Sequence, residues 1–450
     1  MMAVWSVTSL QSVIETRRID ADHNRPEYLR ITASLSWAPP LKQFVQEIIH
    51  PAEFARRYSD DGWKVVRTQN VRPLRMDSDS NKVFLSEEVA NKLNKNHLRS
   101  GDILITRTGA NFGQCSLFYA EEQPALATSH TFIVRANEKI DSAYLALFLN
   151  TTQGRQLIDQ GMYGSSQPEI APRFLLRIPT PRFAESIEAE LAMFVRKAYG
   201  LRKESISLYK RAQHLLESEL GLDNLSFQKP VGYTTRFSEL ERSRRLDPEH
   251  FYPAFHNLVA HLPNHINLVP LGTQLGFCQR GKQPVYSNHG LPVVNSKHVR
   301  SNKVVLEGNR TAIFNPTAEL QIRHGDILMN GTGRGTLGRV APYLIDEQAI
   351  PDNHVTILRS PTLDPAYLSF YLNSQAGQLQ VDMHQRGTSG QLELYPFDIR
   401  KFLVWVAPET FQKKIRTLYN QAAASEQRST KLLEKAKTRV EQLIEKAVSS

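Results

Sequence analysis

The stretch "GDILMNGTGRGTLGR", Gly325 to Arg339, sets an apolar run in front of a loop crowded with glycine, the pattern of either a phosphate cradle or a tight turn between strands. Gly333 to Gly338 has the spacing of a Walker loop, but Arg339 and Val340 stand where that loop needs Lys followed by Ser or Thr to reach phosphates and Mg²⁺. The "VAPYLI" that follows reads as a second strand containing Pro342, so no helix N-terminus faces a bound phosphate. Upstream, "GDILITRTGANFGQ" at Gly101 to Gln114 is the same phrase. The repeat, rather than a nucleotide, decides the fold.

The whole chain follows this duplication. "RRIDADHNRPEY" from Arg17 returns as "RRLDPEHFYPAF" from Arg244, and "YSDDGWKVVRTQNVR" from Tyr58 as "YSNHGLPVVNSKHVR" from Tyr286. "DSAYLALFLNTTQG" from Asp141 returns as "DPAYLSFYLNSQAG" from Asp364, and "GSSQPEI" from Gly164 as "GTSGQLEL" from Gly387. Matches in one order at nearly constant separation make this a tandem repeat of half the chain.

Each half closes on a long helical stretch. Its seam runs Ile187, Leu191, Phe194, Ala198, Leu201, Ser205, Leu208, Ala212, Leu215, alternating steps of four and three as a coiled-coil stripe does. The second half repeats it as Phe411, Ile415, Leu418, Ala422, Ser425, Ser429, Leu432, Ala436, Arg439. A rod of this kind is about 50 Å long at about 1.5 Å per residue, too long for one small domain to cover, so two rods are expected to pack on each other. The rest mixes short β-branched runs such as "WKVV" and "TFIV" with a helix at "SAYLALFLNTTQGRQLI". The expected order is α/β domain, rod, α/β domain, rod.

Composition agrees with such a chain and narrows its partners. The 450 residues are 41% hydrophobic and 22% charged, with no apolar run of membrane-spanning length, and "MMAVWSVTSL" lacks the basic region of a signal peptide, so a cytoplasmic protein without a membrane partner is expected. A net charge of +10 favours a polyanion, since Lys and Arg that neutralise phosphates gain affinity by counterion release. Cys115 and Cys278 lie far apart without CxxC or His spacing, which argues against disulfide and zinc and for buried thiols.

The phrases "GDILITRTG", "YLALFLNTTQGRQLI", "GSSQPEI" and "RIPTP", with "GDILMNGTG", "YLSFYLNSQAGQLQ" and the terminal rod, resemble the specificity (S, or HsdS) subunits of type I restriction-modification systems over nearly the whole chain. The resemblance implies an α/β (α+β) fold of two tandem, pseudo-symmetric target-recognition domains held apart by an antiparallel pair of helices. The corresponding bounds are residues 1–181 and 223–408 for the domains, 182–222 and 409–450 for the helices. It further implies a subunit without catalysis of its own that reads a split site in double-stranded DNA, one domain per half-site. Its partners would be two methylation subunits and, through the complex, restriction subunits, with S-adenosylmethionine, Mg²⁺ and ATP bound on those partners and no cofactor on this chain. The same scaffold in a type IIB or other defence assembly is the alternative. A methyltransferase or nuclease is disfavoured because "WAPPL" lacks the leading Asn or Asp of the adenine methylation loop, "FNPTA" lacks its second proline, and no metal-nuclease set sits on paired strands.

Residues suited to DNA gather in the diverged loops. Arg107, Thr108, Asn111 and Gln114 lie in the first glycine turn, and Asn330, Thr332, Arg334 and Arg339 in the corresponding turn of the second half; Arg suits guanine, Asn and Gln suit adenine, and a solvated hairpin is the other reading. Arg67, Gln69 and Asn70, matched by Asn295, Lys297 and His298, end a strand with polar side chains that either contact DNA or meet solvent. Arg280 and Lys282 with Tyr286 form a basic turn, and Ser165, Ser166 and Gln167, with Thr388, Ser389 and Gln391, form polar loops that either contact DNA or cap a turn. The aligned pairs His130 with His354 and His23 with His250 have no further ligands beside them and read as hydrogen-bonded structural residues rather than metal sites.

Overall fold

The computed structural model describes residues 6–77, 82–120, 123–164, 167–223, 225, 232–313, 318–387 and 392–449. The chain divides into two compact units: residues 1–203 with 425–450, and residues 204–424.

In the first unit a four-stranded antiparallel sheet runs Val45–Ile49, Thr131–Ala136, Ile103–Thr106, Cys115–Leu117. The repeated "GDIL" phrase accounts for its centre. Gly101 takes φ +94°, a left-handed conformation that glycine adopts without strain, and Asp102 then turns inward. Asp102 accepts the Arg99 backbone N–H at 2.8 Å and pairs with Arg135 at 2.9 Å on the neighbouring strand, so its buried charge is compensated. Ile103 and Ile105 enter one core, which includes the helix Ser142–Leu149, and Leu104 enters the other. A smaller sheet, Phe84–Leu85, Trp63–Val66, Ala125–Ala127, carries the chain into the segment Arg67 to Arg72.

The second unit repeats this plan in the same strand order: Phe277–Arg280, Val355–Arg359, Asp326–Asn330, Val340–Tyr343. Asp326 pairs with Arg359 at 2.7 Å as Asp102 does with Arg135. The smaller sheet is Val285–Ser287, Thr311–Ile313, Leu291–Val294, Ile350–Pro351, with the last pair parallel, matching the parallel pair of the first unit.

The "LNTTQG" and "LNSQAG" phrases make the corner between two helices in each unit. Asn150 donates to the Cys115 and Ala146 carbonyls, and Asn373 to those of Val340 and Ser369, fastening the end of the buried helix to a sheet strand. Glycine is required next because a Cβ on Gly154 would stand 2.1 Å from the Phe148 carbonyl oxygen, and one on Gly377 2.3 Å from that of Leu372.

The long helices are Glu185–Glu219, 35 residues, and Glu409–Ser449, 41 residues, and they pack as a coiled coil. In the first unit Leu191, Ala192 and Val195 share a core with Ala436, Val440 and Ile444, running antiparallel, and Ser429 Oγ donates to the Ala198 carbonyl at 2.7 Å. In the second, Ala212, Leu216 and Leu220 share a core with Phe411, Ile415 and Tyr419. The expected seam holds at the seven-residue spacing of Leu191, Ala198, Ser205, Ala212 and of Ile415, Ala422, Ser429, Ala436, all buried. It is corrected at its end: Arg439 is exposed, and the stripe passes to Val440 and Ile444 because a charged head stays in water beside an apolar neighbour that fills the seam.

Candidate nucleic-acid interface

Each unit brings its strand-end segment, its glycine turn and its return loop together. In the first, the turn after Ile103–Thr106 reverses through Gly109 and Gly113, at φ +85° and +68°. Asn111 then accepts from Arg72 at 3.0 Å and from Gln114 at 3.4 Å, joining the turn to the Arg67–Arg72 segment. Thr108 pairs with Glu169 across a β-bridge, which joins the turn to the loop Tyr163 to Glu169. Arg107 lies 3.6 Å from the Glu169 carboxylate, and Thr108 Oγ1 is 3.1 Å from His130 Nδ1. Arg56 reaches the other nitrogen of His130 at 3.1 Å. Gln69 is half-buried, while Gln167 is exposed on the return loop.

The second unit assembles the same corner from different residues. Thr332 bridges Glu393 and contacts His354 at 2.6 Å, as Thr108 does Glu169 and His130. Arg334 is exposed at the tip of the turn. Arg339 is half-buried, and both influences on its charge are unfavourable: burial and the neighbouring Arg300 lower its proton affinity. Arg300 thus acts on Arg339 as a like charge, in the part of the second unit that corresponds to Arg72, Asn111 and Gln114 in the first. Lys297 is exposed and donates to the Gly308 carbonyl at 3.1 Å, and Asn295 Oδ1 accepts its backbone N–H at 3.3 Å. Lys282 is exposed, and Tyr286 lies under the Arg310 guanidinium at 3.5 Å, on a different hairpin from the glycine turn.

Several residues expected to face DNA are turned inward. Asn70 is 3% exposed; it accepts the Arg67 backbone N–H at 2.9 Å and donates to the Asp77 carbonyl at 2.8 Å. His298 occupies the matching place, 2% exposed, with Nδ1 accepting the Asn295 backbone N–H at 3.2 Å, and burial holds it at about 4, so it is the neutral ring that acts as acceptor. The two side chains differ because each closes the same turn with its own chemistry. Asn330 is fully buried and donates to the Ser296 carbonyl at 3.0 Å, and Thr108 is buried against His130. Arg280 is spent internally, donating to the Gly331 and Leu394 carbonyls at 2.8 and 3.0 Å. Arg67 lies 5.9 Å from the centre of the Tyr58 ring. Ser165, Ser166, Thr388, Ser389 and Gln391 lie outside the described residues.

Arg72, Arg300, Arg56 and Glu169 were not singled out from the sequence. The one available signal was the recurrence of Arg72 as Arg300 in the aligned "NVR" and "HVR". His23 and His250 bond the Gln160 and Met383 carbonyls, each at 2.9 Å, as structural histidines do. Both cysteines are buried, and burial pushes their thiols up to about 12 and 11. Among the described residues no group of three His, Cys, Asp or Glu could hold a metal, and no helix is long and apolar enough to cross a membrane.

What this defines is a duplicated α/β scaffold that presents one polar, basic corner per copy. No protein-family model and no curated protein matches the chain. Solved structures similar to it are type I specificity subunits, the family that its motifs resemble. The S subunit of a type I restriction-modification system from M. genitalium is 10% identical, with 91% of this chain and 95% of that one covered at a TM-score of 0.41. A chain from a structure of type I R-M complex assembly and conformational transition is 15% identical, with 91% and 96% covered at 0.31. The HsdS subunit from Thermoanaerobacter tengcongensis is 15% identical, with 91% and 95% covered at 0.27.

Proposed function

We propose that this chain is the non-catalytic DNA specificity subunit of a type I restriction-modification complex, working in the cytoplasm, with each unit reading one half of a bipartite site in double-stranded DNA. The observation that carries the reading is the duplicated frame with unlike corners. A symmetric dimer meets two identical half-sites because its symmetry mirrors that of the DNA, whereas a fused pair is free to read two different ones. The frame is the same twice, down to Asp102 with Arg135 and Asp326 with Arg359. The corners differ where side chains reach solvent: Asn111 and Gln114 with Arg72 in one, Arg334 and Arg339 with Arg300 in the other. The net charge of +10 suits a phosphate backbone.

On this reading the long helices set the gap between half-sites and help to dock two methylation subunits, through which restriction subunits join. S-adenosylmethionine, Mg²⁺ and ATP belong to those partners. Mapping methylated adenines in the genome with and without the gene tests the proposal. Methylation that disappears from one split motif supports it, and an unchanged pattern, or methyl transfer by the purified chain alone, refutes it.

A further inference from the structure

The two units solve one structural problem with an arginine drawn from opposite sides. In the first, Arg107 on the glycine turn points across to His50, which follows the strand Val45–Ile49: Nη1 lies 3.4 Å from His50 Nδ1, closer still to Nε2, and Nη2 faces Glu169 at 3.6 Å. In the second, the position equivalent to Arg107 is Gly331, and the position equivalent to His50 is Arg280, at the end of the strand Phe277–Arg280. Arg280 reaches back the other way, bonds the Gly331 and Leu394 carbonyls, and faces Glu393 at 3.5 Å.

The surroundings are otherwise matched. The backbone N–H of Arg107 donates to the His130 carbonyl and that of Gly331 to the His354 carbonyl, each at 2.8 Å. The backbone of the same glutamate bridges that of the same threonine in both units, Glu169 with Thr108 and Glu393 with Thr332. In the second unit the Arg280 guanidinium occupies the place beside residue 331, where a Cβ on Gly331 would stand 2.9 Å from Arg280 Nη2. His50 without its own guanidinium, and Gly331 without a side chain, are therefore complementary halves of one exchange.

We infer that Arg107 and Arg280 are equivalent positioning residues, each clamping the glycine turn of its unit to the return loop through Glu169 or Glu393, and that the clamp can be moved from one strand to the other without loss. The inference rests on the proposed DNA recognition, and it changes the part given to these two arginines. They hold the reading loops in register; they do not themselves read DNA. The reach of the clamp is local, so each arginine governs one half-site.

The test uses the full chain co-purified with its partner subunits and selection of bound sequences from a randomised duplex library. Wild type should return a two-part motif; a wild type that returns none overturns the DNA-recognition reading and leaves the clamp geometry to be judged by melting temperature. Arg107→Gly should relax one half of the motif by about tenfold, the scale of one lost bidentate base contact, and leave the other half intact. Glu169→Gln, which keeps the side chain's size, should relax that same half. The paired change His50→Arg with Arg107→Gly should restore it, because it rebuilds in the first unit what Arg280 and Gly331 form in the second. The mirrored pair, Arg280→His with Gly331→Arg, should likewise preserve the other half. The inference is overturned if the folded double variant stays as relaxed as Arg107→Gly, or if Arg107→Gly alone makes the salt dependence of binding shallower by about one phosphate contact, which would mark it as a direct ligand of DNA.

Discussion

Arg339 and Arg300 offer the most direct test of the proposed DNA contact. Arg339 is half-buried, and its positive charge is opposed by burial first and by Arg300 second. A like-charged pair in this situation gains from an anion between the two groups, and a DNA phosphate is the anion expected. Each phosphate neutralised contributes about −0.9 to the slope of log K against log salt on duplex DNA. Replacing Arg339 with Ala should therefore make the slope shallower by about 0.9. Between 50 and 200 mM salt the wild type would lose about 3.5 times more affinity than the variant, and Arg300→Ala with Arg339→Ala, which gives up the same shared phosphate, should show the same shallower slope. Fluorescence anisotropy of a labelled duplex across a salt series reads this out, using the assembled complex. A folded double variant with the wild-type slope would refute phosphate contact here. A changed base preference at an unchanged slope would assign Arg339 to a base edge instead.

Three other outcomes are expected. Adding one heptad to each long helix, after Ser205 and after Ser429, keeps the seam in phase and lengthens each rod by about 10 Å, so the preferred gap should widen by roughly three base pairs; selection from a library of variable gaps checks it, and an unchanged gap in a folded variant means the helices do not set the spacing. Gly154→Ala or Gly377→Ala should cost about 3 kcal/mol, because the added methyl meets a backbone carbonyl that cannot turn aside, and a melting temperature equal to wild type would contradict the close approach. Burial holds His298 and His384 at about 4, below the unfolded value near 6.5. The unfolded chain then binds protons that the folded one refuses, so stability should fall as pH drops from about 6.5 towards 4 and level off below it, by roughly 3 kcal/mol per histidine. Denaturant titrations at stepwise pH would show it, and a flat profile through that window would count against neutral buried rings.

The fold was far more legible than the site, and the reason is periodicity. A repeated phrase such as "GDIL" carries its own control, because the Gly, the Asp and the apolar run recur with the elements they build. The heptad stripe was legible for the same reason and misled only at Arg439, where a position in phase had left the interface. Recognition residues have no period, and unlikeness between the halves proved an ambiguous guide to them. Asn70 and His298 differ, yet both cap one turn; Arg107 and Gly331 differ, yet both belong to one clamp. Arg72 and Arg300 recur unchanged in the two halves and so carry no mark of divergence, although Arg72 bonds the first turn and Arg300 acts on Arg339 in the second.

The way the first unit is closed has a consequence for the order in which the protein matures. Ala436, Val440 and Ile444 belong to the same core as Leu191 and Val195, so this unit is built from segments far apart in the chain, whereas residues 204–424 are continuous. A ribosome adding about 5 to 20 residues per second reaches residue 425 roughly 10 to 45 seconds after residue 203. During that interval the first long helix lacks Ala436, Val440 and Ile444, and the later unit is complete before the earlier one. Nascent chains stalled short of residue 425 should consequently expose Leu191 and Val195 to chaperones, and emergence of Ala436, Val440 and Ile444 becomes the step at which the first unit is sealed.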